Sequence, residues 1–153
     1  FEFLAETGND PRIKFIEKLL RDTKGEGDIL TYNKSFEVLR LKEIAETFPK
    51  YKKEIEERIS RVKDLMIPFQ KKYHYTYKMQ GSYSIKYVLP ALIPELSYEN
   101  LEINEGGLAS VAFESLYYES NFIRIDEIRQ NLIEYCKMDT FAMVKLLEKL
   151  ETL

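Results

Sequence analysis

The sequence predicts an α/β domain dominated by helices, with a short parallel sheet flanked by them. Two stretches carry the sheet: "ILTY", β-branched and apolar, and "VKDLM". Both have the length of buried strands. A helical segment, "KSFEVLRLKEIAET", stands between them, and strand–helix–strand order lets two strands pair in parallel. Through most of the remaining chain, apolar residues recur three and four positions apart, so helices outnumber strands.

Taken in order, "FEFLA" alternates as a short strand does, and "TGNDP" breaks it. Asp10 followed by Pro11 marks a helix start: a capping side chain, then proline where its missing N–H costs nothing. Ile13, Ile16, Leu19 and Leu20 set that helix's apolar face, and the glycines of "KGEGD" end it. After "ILTY" a helix is expected from Lys34 to Thr47, carrying Phe36, Leu39, Leu41 and Ile44, with Pro49 beyond its end. "KYKKEIEERISRV" reads as a charge-laced, solvated helix, and "IPFQKKYHYTY" leads into a loop rich in Tyr and Lys. In "SYSIKYVLPALIPEL" a short helix is expected to break at Pro90 and Pro94, since proline donates no backbone bond. Gly106 and Gly107 read as a turn before a helix from about Leu108, because no phosphate-loop fingerprint surrounds them. The C-terminal stretch from Arg124 is one long helix or a closely joined pair.

The chain has 153 residues, enough for one domain spanning 1–153 with a single core, and it shows no internal repeat. A net charge of -3 excludes a globally basic footprint, so contact with nucleic acid requires a local patch. The one cysteine, Cys136, excludes an internal disulfide and fits a reducing cytoplasm, with the thiol expected as a small buried hydrophobe. No apolar run is long enough to cross a membrane, and no signal peptide is visible. The opening "FEFLAETGNDPR" lacks Met and enters in mid-strand, so the chain is expected to be part of a longer polypeptide with a domain upstream.

Two constellations point to chemistry. Asn33, Phe36 and Glu37 lie in "YNKSFE", at the end of the first buried strand. Tyr135 and Asp139 lie in "YCKMD", one helical turn apart and on one face, among Leu132, Met138, Ala142, Met143 and Leu146. A carboxylate beside a packed face is costly unless it is paired or ligates a metal. Hard divalent cations prefer carboxylate oxygens, and two acids converging at a strand end suit phosphoryl transfer. Taken locally, Asn33 is a helix cap, Glu37 favours the positive helix end, Tyr135 is a core tyrosine and Asp139 an exposed acid. A third stretch, "KKYHYTYKMQGSYSIK", interleaves Lys71, Lys72, Lys78 and Lys86 with Tyr73, Tyr75, Tyr77 and Tyr83. Rings stack on bases while lysines track phosphates, so it could guide a single strand; otherwise it is a solvated loop with half-packed tyrosines. His74 has no partner at zinc-ligand spacing, and Asp64 reads as a structural contact at a strand end.

The order Asn-x-x-Phe-Glu and then Tyr-x-x-x-Asp on a late helix resembles the second and third motifs of the DEDD 3′–5′ exonuclease superfamily, Tyr type. "ILTYNKSFE", "GSYSIKYVLPALIPELSYENL" and "EYCKMDTFAMVKLLEKL" are also similar to an uncharacterised bacterial domain family attached to it. The resemblance implies an RNase H-like fold, incomplete in this chain, and Mg²⁺ or Mn²⁺ held by Glu37 and Asp139. It also implies that Asn33 shapes the turn, Tyr135 orients the attacking water, and the partner is a single-stranded nucleic-acid end. Two departures stand out. Glu37 is one methylene longer than the usual Asp, and the first motif, Asp-x-Glu, is absent, since Glu2 and Glu6 have the wrong spacing. The chain alone is therefore expected to be inactive, with the first strands and acids lying upstream. The competing expectation is a non-catalytic nucleic-acid-binding or protein-interaction module on the same fold, which the sequence pI of 5.4 favours. Missing strands would leave "ILTY" an open edge, and hence a route to self-association. The carboxylates of Glu37 and Asp139 are expected to face one another.

Overall fold

The computed structural model describes residues 1–152. Helix α1 (Arg12–Asp22) leads to β1 (Ile29–Thr31), α2 (Lys34–Thr47), a 3₁₀ turn at Pro49–Tyr51 and α3 (Lys52–Ser60). Strand β2 (Val62–Asp64) follows, then α4 (Ile67–Gln70), a 3₁₀ turn at Tyr77–Met79, α5 (Ile85–Leu92), α6 (Gly106–Ser115) and α7 (Phe122–Leu150). β1 and β2 pair in parallel, Ile29 opposite Val62 and Thr31 opposite Asp64. The predicted strand–helix–strand unit is therefore present, in a domain otherwise made of helices.

Three apolar clusters hold the elements together. Ile16 and Leu20 of α1 meet Ala45 of α2 and Ile55 of α3. Phe69, Val88 and Leu89 pack on Ala142 and Leu146 of α7. Ile103 and Leu116 pack on Leu132, again of α7. Helix α3 is charge-laced as expected, yet Ile55 is only 1% exposed, so one side of it belongs to the core. Arginines from its C-terminal end close α1: Arg58 Nη2 donates to the Leu20 carbonyl at 3.0 Å and Arg61 Nη2 to the Thr23 carbonyl at 2.7 Å. Those carbonyls are among the ones a helix end leaves without intrahelical donors.

Several expectations need correction. "FEFLA" forms no strand; instead Arg129 Nη1 donates to the Ala5 carbonyl at 2.9 Å and Leu4 packs beside Leu132. Helix α1 starts one residue late, at Arg12, with Asp10 Oδ1 accepting its backbone N–H at 3.0 Å. Pro90 does not break α5, which continues to Leu92 and stops ahead of Pro94. The helix forgoes one backbone bond, and full burial of the adjacent Val88 and Leu89 outweighs it. Helix α6 includes Gly106 and Gly107 rather than starting at Leu108, and the C-terminal stretch is one helix of 29 residues. Phe36, 60% exposed, and Leu39 lie outside the core, and Cys136 is exposed.

The largest correction concerns the start of α2. Asn33 sits at the cap position with φ 74, in the left-handed region, and its side chain makes no capping bond. The cap comes instead from Asp64 at the end of β2. Its Oδ1 accepts from the Asn33 N–H at 3.0 Å and the Met66 N–H at 2.9 Å, and its Oδ2 accepts from the Lys34 N–H at 2.9 Å. One carboxylate thus joins the turn after β1 to the turn after β2, and its charge faces the positive end of α2.

Asp64→Ala is expected to lower stability by about 2–4 kcal/mol in urea unfolding, since three amides lose their acceptor. Asn33→Gly should stay within about 0.5 kcal/mol, because glycine takes the left-handed backbone without strain. The reverse ranking would restore Asn33 as the cap.

Candidate carboxylate site

Glu37 enters from the first turn of α2, and Asp139 from the middle of α7. The clamp at Asp64 fixes the start of α2, and the apolar contacts of Leu132, Ala142 and Leu146 fix the face of α7. Glu37 lines an apolar cleft with Phe36, Arg40 and Val62, and the Asp139 charge still acts on it. Burial pushes the Glu37 carboxyl above its ordinary range, and the negative charges of Asp64 and then Asp139 push it further. Its Oε2 is buried and accepts no hydrogen bond. Asp139 is also raised by burial, against the pull of the Tyr98 and Tyr135 hydroxyls and of the Lys86 charge.

Two tyrosines flank Asp139. The Tyr98 hydroxyl donates to Asp139 Oδ1 at 2.8 Å, and the rings of Tyr98 and Tyr135 lie 6.3 Å apart. Both phenols are held protonated, first by burial and then by the Asp139 charge. The Tyr135 hydroxyl reaches toward the start of α6, where a Cβ on Gly106 would stand 3.8 Å from it. A side chain there would meet the hydroxyl at ordinary contact distance.

Asn33 does not join the carboxylates through its side chain; its contribution is the left-handed turn that launches α2. Asp64 lies close enough to raise Glu37, yet both its oxygens serve backbone amides. Among the described residues, no three acidic, histidine or cysteine side chains gather as a metal ion would require. Glu37 and Asp139 are the acids whose oxygens could hold a hard cation, and the orphaned Oε2 of Glu37 is the clearest acceptor. Glu2 and Glu6 are exposed, and Glu2 pairs with Lys137 at 3.6 Å.

The basic stretch divides in two. Lys71, Lys72 and Tyr73 lie exposed on the turn after α4. Tyr75 is also half exposed, though its hydroxyl accepts from the Gly81 N–H at 3.2 Å, and Tyr83 gives its carbonyl to the Tyr32 hydroxyl at 2.6 Å. Lys78 and Lys86 line an open cleft of about 360 Å³ together with Tyr87, Tyr98 and Asn104. Tyr98 therefore borders both that cleft and Asp139. Lys86 stands 3.5 Å from Glu105 and acts on Asp139 through its charge. The His74 Nε2 is buried without a partner.

Tyr98 has no signal in the sequence, because its place beside Asp139 depends on how the loop between α5 and α6 folds back. Asp64 was legible as a strand-end contact, and its three amide partners were not.

The family model described as "Domain of unknown function (DUF2779)" matches residues 1–84, more than half of the chain. No curated protein and no solved structure matches it.

The pH dependence of stability follows from the two raised acids. A carboxyl with a folded pKa above its unfolded value holds its proton more tightly when folded. Its effect on stability is therefore absent at low pH and becomes unfavourable as pH rises past the unfolded pKa of about 4. Glu37→Gln is expected to raise Tm at about pH 7 and to leave it unchanged at about pH 3. Scanning calorimetry at both pH values checks this, and an equal shift at both would contradict the assignment.

Proposed function

This chain belongs to the DUF2779 family, and we propose that it carries the Glu37–Asp139 half of a metal-dependent 3′–5′ exonuclease site in an RNase H-like domain. The observation that supports the reading is the buried, unpartnered Oε2 of Glu37, whose carboxyl feels the Asp139 charge, with Tyr135 beside Asp139. Carboxylate oxygens in this setting suit Mg²⁺ or Mn²⁺ in kind. Such an ion, when bound, lowers the pKa of water and stabilises charge on a phosphoryl oxygen.

The protein's own groups have separate tasks in this reading. Glu37 and Asp139 would hold the ion. The protonated Tyr135 hydroxyl orients the attacking water. Lys78 and Lys86 bind the phosphates of a single strand in the cleft beside Tyr98, with Lys71, Lys72, Tyr73, Tyr75 and Tyr83 as an outer track. We place the protein in the cytoplasm, where the exposed Cys136 thiol stays reduced. No described helix is long and apolar enough to cross a membrane.

A second reading is a binding module on the same fold that no longer cuts. It is favoured by the full use of Asp64 on backbone amides, which leaves two acids free for a metal. The two readings separate on activity.

The natural polypeptide containing this chain is expected to shorten a 5′-labelled single strand in Mn²⁺. Asp139→Asn should abolish shortening, and Tyr135→Phe should slow it by about 10²-fold. Folded protein that binds the strand and never shortens it would establish the binding module instead.

Among the described residues β1 is bonded on one side only, by β2, which leaves its other edge for an additional strand. We propose that isolated copies of this chain self-associate there, as an open edge does. Light scattering should show the apparent mass rising with concentration, and a monomer throughout would contradict the proposal.

A further inference from the structure

We propose that Tyr98 is a positioning residue that sets the orientation of the Asp139 carboxylate, an inference that rests on the metal-site reading of Glu37 and Asp139. Tyr98 is 5% exposed, in the loop between α5 and α6, and its ring belongs to the cluster of Val88, Leu89, Ala142 and Leu146. The core therefore holds the phenol on the same face of α7 that presents Asp139. Its hydroxyl donates to Oδ1 at 2.8 Å.

An aspartate carboxylate rotates easily, because its terminal torsion is broad and roughly two-fold. A donor fixed in the core restricts that freedom by taking Oδ1, while the Tyr135 hydroxyl one turn back on α7 also pulls on the carboxylate. Lys86 does not do this: its ammonium bonds Glu105 and reaches Asp139 through its charge alone. A phenol is well suited to the task, since it loses little conformational freedom on burial and carries its polar atom at the end of a rigid ring. Metal ligands are commonly oriented by such outer donors, and losing one typically costs 10–100-fold in affinity.

The test is Mn²⁺ titration of the natural polypeptide by electron paramagnetic resonance, comparing wild type, Tyr98→Phe and Asp139→Asn. The expected result is an affinity lowered about 10-fold by Tyr98→Phe, with the circular dichroism of the folded protein unchanged, and lost in Asp139→Asn. Unchanged affinity in Tyr98→Phe would overturn the proposal and reduce Tyr98 to a packed core residue. A second readout needs no metal: the Tyr98 hydroxyl proton, seen by NMR and assigned by its loss in Tyr98→Phe. A shift of that resonance in Asp139→Asn supports the contact, and its persistence unmoved overturns it. Absence of Mn²⁺ binding in wild type together with a shifted hydroxyl resonance would refute the metal reading and keep the Tyr98–Asp139 contact.

Discussion

The Asp64 carboxylate, accepting from three backbone amides, is the interaction on which the rest of the site depends. A two-stranded sheet of three-residue strands has few ladder bonds of its own. Hydrogen bonds to a charged acceptor contribute about 1.5–3 kcal/mol each when considered singly. Spending one carboxylate on both strand ends locks the pair in register and fixes where α2 begins. Once that start is fixed, Glu37 has no freedom to move along the helix, and its direction follows from the helical turn. Asn33 makes the geometry possible by adopting the left-handed backbone, which Asn tolerates better than most residues.

The opposite wall of the site comes from α7. This helix carries Leu132 into one cluster and Ala142 and Leu146 into another, while Tyr135 packs against both. Asp139 projects from the same surface, so its position is set by apolar contacts before any polar partner is considered. Two separately anchored helices thus carry Glu37 and Asp139, and the charge of Asp139 adds to the burial and the Asp64 charge that raise Glu37. Neither acid gains a cationic hydrogen-bond partner there, and burial raises both. Asp139 has phenol donors, but Glu37 Oε2 is buried with none, and a protein keeps such an acid at a cost in stability that functional sites concentrate.

Much of this was legible in the sequence because it depends on local pattern. The limits of α2 matched residue for residue, and both strands lay where their short apolar runs indicated. Tyr135 and Asp139 shared a face because helical spacing requires it. The misreadings came from long-range terms. "FEFLA" alternates like a strand, yet it docks on α7 through Arg129 and Leu4. Pro90 reads as a break, and the burial of Val88 and Leu89 carries the helix past it. The cap of α2 was assigned to Asn33, its nearest polar side chain, whereas the acceptor lies a strand away at Asp64. Phe36 has helical periodicity but stands at the rim of an open apolar cleft between α1 and α2 rather than in the core. Tyr98 carried no local signal, since its value lies entirely in where its loop returns.

The charge of Asp139 acts on the Glu37 carboxyl across the fold. The most direct test of this coupling is the pH titration of the Glu37 carboxyl carbon by ¹³C NMR, in the wild-type chain and in Asp139→Asn. Neutralising Asp139 removes a like charge, so the Glu37 pKa should fall toward its ordinary range while remaining raised by burial and by Asp64. A Glu37 titration identical in the two proteins would show that the acids do not share a site.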